Sequence, residues 1–263
     1  MRYSANLGFL YTDRSLPDAV RAAHRAGFDA VECHFPYDTP SETLRAALEE
    51  TGLRMLALNT WPGDREAGEF GLGALPDRVD EARREIVRAI DYADAIGMDA
   101  VHVMAGRTDG GAAAEDCFRK NLRFACERAS EKGLGILIEP INTRDVPGYH
   151  LSDTDHAERL LDAVGHDALR IMFDCYHMQI MQGDLLRSIE RLLPKIGHVQ
   201  IAAVPDRGEP DAGEVDYPWL MDRLAEFGYS GHVGAEYKPR APGGETEVGL
   251  AWLAAFRNGT EGR

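Results

Sequence analysis

Four apolar runs in the second half of the chain carry an oxygen-bearing side chain at or near their ends. They are Ile136-Leu137-Ile138-Glu139, Ile171-Met172-Phe173-Asp174, Val199-Gln200-Ile201 and Val233-Gly234-Ala235-Glu236. Read as consecutive strands, they bring Glu139, Asp174, Gln200 and Glu236 to a comparable depth. Three carboxylates converging on one point repel one another unless a counter-ion sits between them. A divalent cation removes that repulsion, and an all-oxygen donor set selects a hard ion, Mg²⁺ or Mn²⁺ ahead of Zn²⁺. Singly, each acid could equally cap a helix or pair with an arginine. Four at equivalent strand ends is the informative observation.

Other side chains could serve the same mouth. His177 stands three residues beyond Asp174, within reach of a substrate oxygen as a hydrogen-bond donor, or else as a helix cap. Arg207, in Pro205-Asp206-Arg207-Gly208-Glu209-Pro210, is the cation an acidic protein needs for an anionic substrate, because arginine grips a carboxylate bidentately. Lys238, two residues past Glu236, is a second candidate cation; either could instead be a surface ion-pair residue. Asn59, in Asn59-Thr60-Trp61-Pro62, offers a hydrogen bond, and Trp61 an apolar lid or simple packing. His198 shares the face of Gln200 but lies deeper, and a core histidine bonded to a carboxylate is as good a description of it as a site residue. His102 is similar. His24, His156 and His166 fall in helical or loop surroundings and are expected to be solvated.

The elements that must position these groups repeat eight times. Strands are expected at Tyr3–Leu7, Ala30–His34, Met55–Asn59, Ala100–Ala105, Gly135–Glu139, Arg170–Asp174, His198–Ala202 and His232–Glu236. Between and after them, amphipathic patterns predict helices at Leu16–Ala26, Ser41–Glu50, Asp77–Ile96, Glu115–Glu131, Thr154–Val164, Asp184–Leu193, Tyr217–Phe227 and Glu247–Phe256. Ala26-Gly27, Thr51-Gly52, Ile96-Gly97, Lys132-Gly133 and Phe227-Gly228 supply the left-handed residue past a last helical turn. Ser15 with Asp18 reads as an N-terminal cap with an acidic first turn. Eight unbroken alternations imply one closed parallel α/β barrel, a single-domain (β/α)8 TIM barrel over residues 1–263, with 257–263 as a frayed tail. An open doubly wound sheet would carry a glycine-rich phosphate turn after the first strand. Leu7-Gly8-Phe9-Leu10 is not one. In such a barrel the active site lies at the C-terminal mouth, where these polar residues fall.

The totals agree. The length of 263 residues fits the roughly 250 of a (β/α)8 unit, and 44% hydrophobic content is enough for a full core. A net charge of −15 repels nucleic acid and anionic membrane, and favours a small-molecule enzyme. The four cysteines form no Cys-x-x-Cys pair, the N-terminus lacks a long apolar segment, and no run approaches the about 18 apolar residues of a span. These features predict a cytoplasmic protein with reduced thiols. Exposed helices such as Asp77–Ile96 could pair two copies into a homo-oligomer.

Ile138-Glu139-Pro140-Ile141-Asn142-Thr143-Arg144-Asp145, Asp174-Cys175-Tyr176-His177-Met178-Gln179, His198-Val199-Gln200-Ile201-Ala202 and Gly234-Ala235-Glu236-Tyr237-Lys238-Pro239 resemble the hydroxypyruvate isomerases. They also resemble the related 2-oxo-tetronate isomerases; both groups lie in the xylose-isomerase-like barrel superfamily. The likeness runs from Ala5-Asn6-Leu7 and Phe35-Pro36-Tyr37 to the last strand, and includes Gly208-Glu209-Pro210 through Gly213-Glu214-Val215. It implies that Glu139 and Glu236 are the proton donor/acceptor pair, and that Glu139, Asp174, Gln200 and Glu236 hold the metal. Related sugar epimerases have histidine where Gln200 stands, and glutamine is a weaker, neutral ligand. The implied reaction converts hydroxypyruvate to tartronate semialdehyde through an enediolate, with the metal offsetting developing negative charge and His177 and Arg207 orienting the substrate. Alternatives are a 2-oxo-tetronate isomerase, a ketose 3-epimerase with a roomier mouth, or a non-catalytic barrel binding a small acid or sugar. An abasic-site endonuclease would need several zinc ions held by many histidines, and the −15 charge opposes DNA.

Overall fold

A computed structural model of the chain describes residues 1–259. Eight parallel strands, β1 (Arg2–Asn6), β2 (Ala30–Glu32), β3 (Ala57–Asn59), β4 (Ala100–His102), β5 (Gly135–Ile138), β6 (Leu169–Asp174), β7 (Ile196–Ile201) and β8 (His232–Ala235), pair in the order β2-β1-β8-β7-β6-β5-β4-β3. The remaining seam closes through Leu56 N–H to Val31 O (2.8 Å), Val31 N–H to Arg54 O (2.9 Å) and Asn59 N–H to His34 O (2.9 Å). The expected TIM barrel is therefore present. Around it lie α1 (Leu16–Arg25), α2 (Ser41–Thr51), α3 (Val79–Ile96), α4 (Ala112–Ser130), α5 (Thr154–Val164), α6 (Cys175–Met181), α7 (Leu185–Leu192), α8 (Tyr217–Glu226) and α9 (Ala251–Gly259).

Local sequence explains the boundaries. Ser15 Oγ accepts from Asp18 N–H, and Asp153 and Asp216 cap α5 and α8 in the same way. Gly52, Gly97 and Gly165 close α2, α3 and α5 in the left-handed conformation. The helix α6 is a feature that sequence reading does not supply: Asp174 ends β6 and its Oδ1 also accepts from Tyr176 N–H at 2.9 Å, so one residue stops a strand and starts a helix. Of the tail expected at 257–263, residues 257–259 continue α9, and the remainder lies outside the described residues. No helix among the described residues is long and apolar enough to cross a membrane.

Period-two alternation decides what the barrel holds. Ile136, Ile138, Ile171, Phe173, Val199, Ile201, Val233 and Ala235 face out and pack in one buried core with the helices. The intervening residues face in. Ala57, Leu137 and Met172 form a small apolar floor, and one step higher along the same strands come Asn59, Glu139 and Asp174. The β6–β7 register shifts between Ile171 and Met172, so that Ile171 pairs Ile196 but Met172 pairs His198. Gly197 is the residue skipped. A Cβ there would lie 2.7 Å from Arg170 Cβ and 2.8 Å from Leu137 Cδ2. The skip sets His198 and Gln200 on the inward parity beside Met172 and Asp174.

Candidate active site

The upper inward layer is polar almost all the way round. Asn6, Glu32, His102, Asp174, Gln200 and the two residues just past strand ends, Glu139 and Glu236, are all buried. Of these, His102, Glu139 and Glu236 line a cavity of about 160 Å³, whose wall also includes Phe9, Phe35, Phe70, His34, His177 and Arg207.

The two glutamates live in opposite environments. Glu236 Oε2 accepts from Arg207 Nη2 at 2.6 Å, while its Oε1 accepts from Asn6 Nδ2 at 2.9 Å and lies 2.9 Å from His34 Nε2. Burial alone would raise its pKa, but Arg207 and then His34 outweigh burial and hold the carboxyl far below the usual range. Glu139 has no such partner, and its buried Oε1 makes no hydrogen bond. Burial, then the charges of Glu236 and Asp174, push Glu139 well above the ordinary carboxylate value. Asp174 is raised to about 7 by burial, against the opposing pull of Arg207, whose Nη2 is 3.3 Å from its Oδ2. Burial and charge thus drive the two glutamates apart, Glu236 toward the ionised form and Glu139 toward the protonated form, a split suited to a base and an acid.

Arg207 is locked in place. It has φ +57°, its N–H donates to Ala203 O, and its own carbonyl accepts from Lys238 N–H. The guanidinium lies over both Phe9 and Tyr176 at 4.9 Å. Its Nε is buried without a partner.

The tautomer of His177 follows from its neighbours. Its Nδ1 accepts from Asn142 N–H at 3.3 Å and faces Asn142 Nδ2 at 2.6 Å, and that amide is oriented by Asp145 on both of its ends. Burial, then Arg207, depress the imidazole well below its usual pKa, so the ring is neutral with its one proton on Nε2. That proton points between Glu139 Oε1 and Asp174 Oδ2, each 3.5 Å away. Glu139, Asp174 and His177 are close enough to share a cation. The backbone donor at Nδ1 nevertheless favours His177 as a donor over a ligand, because ligation through Nε2 would leave two N–H groups facing a protonated Nδ1. His102 is likewise neutral, lowered to about 4 by burial, with Nδ1 3.1 Å from Asn59 Oδ1 and 3.7 Å from Glu139 Oε2.

A second network, reaching from this layer down to Ser4 and His198, fixes Gln200. Glu32 accepts from Ser4 Oγ (2.9 Å) and Gln200 Nε2 (2.8 Å) and lies 3.1 Å from His198 Nε2. Burial lowers His198, but Glu32 more than offsets this and its pKa is raised. With the amide nitrogen held by Glu32, Gln200 Oε1 is left as a buried acceptor without a donor. Gln200 Oε1 and Glu139 Oε1 are buried oxygens without a donor, of the kind a hard cation takes, and Glu139 and Asp174 stand close enough to share one. Gly234 leaves room for this network: an added Cβ would lie 2.1 Å from Glu32 Oε1 and 2.8 Å from His198 Nε2. Gly234→Ala is expected to destabilise the fold by about 1–3 kcal/mol, read as a lowered urea midpoint with unchanged slope. A midpoint equal to the parent would show that the network has slack.

Of the residues singled out from sequence, Glu139, Asp174, Gln200, Glu236, His177, Arg207 and Asn59 come together. Lys238 does not: its side chain is exposed and outside the cavity wall, and only its backbone N–H bonds toward Arg207. Trp61 packs against Phe35 and Tyr37 rather than over the cavity. His198 is the carboxylate-bonded core histidine. His156 is not solvated as expected, for it is half-buried against Glu115. Sequence reading passed over Asn6, Glu32 and His34. Their signal is the same parity at the ends of β1 and β2, hidden because polar Ser4 interrupts β1 and β2 is only three residues long, so no run of apolar residues leads up to the polar one.

The family described as xylose isomerase-like TIM barrel matches residues 20–256. The 2-oxo-tetronate isomerase of Cupriavidus necator is 45% identical over 258 residues, covering 97% of this chain and 98% of its own. The hydroxypyruvate isomerase of Escherichia coli is 39% identical over 260 residues, covering 98% and 100%. A crystal structure described as AP endonuclease, family 2, from Brucella melitensis superposes with a TM-score of 0.92 at 40% identity, covering 97% and 98%.

Proposed function

The chain is an isomerase of the xylose isomerase-like TIM barrel family, and we propose that it interconverts hydroxypyruvate and tartronate semialdehyde. The observation that carries this is the pair Glu236 and Glu139, the first held by Arg207, Asn6 and His34 and the second buried with its Oε1 unpartnered, on a cavity of about 160 Å³ suited to a small acid. Ionised Glu236 removes a proton from C3 of hydroxypyruvate, and the electrons pass into the C2 carbonyl to give an enediolate. Glu139 delivers a proton to C2 while the proton of the C3 hydroxyl passes to the C2 oxygen, so that C3 becomes the aldehyde and C2 carries the hydroxyl. Neutral His177 donates Nε2–H to the oxygen that gains charge, and Arg207 holds the substrate carboxylate through its unpartnered Nε–H. Asn59 positions His102 beside Glu139.

A divalent cation, Mg²⁺ or Mn²⁺, would be held by Glu139, Asp174, Gln200 and Glu236, and would offset negative charge on the substrate oxygens. Its binding must displace the proton that Asp174 keeps up to about pH 7. Glu139, held toward its protonated form, must give up its proton as well, so affinity for Mn²⁺ is expected to weaken by at least about tenfold per pH unit below 7, measured by calorimetry. An affinity independent of pH between 5 and 7 would remove Asp174 from the ligand set.

His177→Leu removes the neutral donor. Turnover is expected to fall about 10²–10³-fold with little change in KM. A rise in KM with unchanged kcat would make His177 a binding residue only.

Assay of the purified protein on hydroxypyruvate tests the substrate. Turnover supports the proposal. Turnover of 2-oxo-tetronate alone would favour the four-carbon acid, to which the 45% identity with the Cupriavidus necator enzyme also points.

A further inference from the structure

Away from the catalytic carboxylates, the loops after β4 and β5 are joined side by side. Arg107 bridges Tyr149 antiparallel, Thr108 N–H donates to Gly148 O at 2.9 Å, and His150 N–H donates to Gly106 O at 2.9 Å. Against this junction the Nε2 atoms of His150 and His156 converge on a single oxygen. Glu115 Oε2 lies 3.0 Å from the first and 2.7 Å from the second. Glu115 is in the first turn of α4 and His156 in the first turn of α5, so three separate segments meet here.

We propose that Glu115, His150 and His156 form a second divalent-metal site, of Zn²⁺ type, that clamps the β4–α4 and β5–α5 loops together. Four observations support it. The three ligand atoms lie within 4.8 Å of one another, and tetrahedral zinc with bonds of about 2.0–2.1 Å places its ligands roughly 3.3 Å apart. His150 Nδ1 is 2.8 Å from Thr108 Oγ1, the outer partner that keeps the ring's other nitrogen turned toward a metal. His150 is buried edge-on to Phe118 at 5.8 Å, which fixes the ring plane, whereas the Glu115 side chain is 41% exposed and leaves the fourth position to water. Two nitrogens and one oxygen also make a softer set than the oxygen ligands in the barrel mouth, so the two sites differ in preferred ion. The clamp would stiffen the wall of the cavity, since Tyr149, next to His150, bonds Ala105 N–H and packs on Phe70.

Calorimetric titration of the purified full chain with Zn²⁺ tests this. The parent is expected to bind one more Zn²⁺ per chain than His156→Ala, and Zn²⁺ at about a hundredfold excess over Kd to raise the parent Tm by about 5 °C more than the variant's. Equal stoichiometry and equal Tm shifts in the two proteins would overturn the site. Should His156→Ala fail to fold, Glu115→Gln, at the exposed edge, is expected to bind this Zn²⁺ at least tenfold more weakly; unchanged affinity would overturn the proposal equally.

Discussion

Replacing Glu139 by glutamine is expected to reduce turnover of hydroxypyruvate about 10³–10⁴-fold without lowering thermal stability. The two halves of this expectation have one cause. Burial and the charges of Glu236 and Asp174 favour the protonated form of Glu139, so the fold prefers a neutral group there that an amide matches in shape. Glutamine replaces it with the same volume and no new charge. What it cannot do is give up a proton. Sign and window follow from the raised pKa: a carboxyl whose folded value lies above its unfolded one loses stability for the fold as pH climbs from the unfolded value toward the folded one. Glu139→Gln should therefore be relatively more stable than the parent toward alkaline pH, which thermal melts at pH 6 and 9 would register. Activity within tenfold of the parent would exclude Glu139 as a proton carrier.

Arg207→Met is expected to cost about 3–5 kcal/mol of stability above neutral pH, and much less at pH 5. Arg207 is the cation facing both Glu236 Oε2 and Asp174 Oδ2, two buried acids. Methionine fills comparable space between Phe9 and Tyr176 and leaves the carboxylates without their counter-ion. Glu236 is the group whose folded pKa is depressed; its pairing stabilises the parent above the unfolded carboxylate value and is lost only as pH falls through the lower folded one. In the variant both acids take up protons as pH falls, and the deficit shrinks. Urea unfolding at pH 8 and pH 5 separates this from simple loss of packing, which would give the same deficit at both. Because the left-handed backbone at position 207 is kept by the substitution, backbone strain does not enter the comparison.

The eight strands were legible because each is a short apolar run followed by an amphipathic stretch, several of these with a glycine stop, and all eight appear within a few residues of expectation. The polar ends of β5 to β8 were legible for the same reason: Glu139 after Ile136-Leu137-Ile138 has no apolar explanation. The first half hid its share. The three-residue strand β2 makes Glu32 look like an interruption, and nothing local announces that it reaches across the barrel to His198 and Gln200. Helix α6 was hidden because Asp174 serves two elements at once. The pairing of His150 and His156 on Glu115 joins residues 35 and 41 positions apart, a relation only the folded loops create. Arg207 was readable as the cation of the mouth, but not its engagement with Glu236 and Asp174, which sets the protonation of the site.

Proton NMR of hydroxypyruvate turnover in D₂O addresses the enediolate route most directly. Proton transfer through Glu236 and Glu139 requires that deuterium from solvent appear at C2 of tartronate semialdehyde, and that Glu139→Gln abolish both product and exchange. Product carrying only protium at C2 would contradict it, since the hydrogen would then have passed from C3 to C2 by a hydride shift or on a single shielded carboxylate, and not through the relay in which Glu139 supplies a solvent-derived proton.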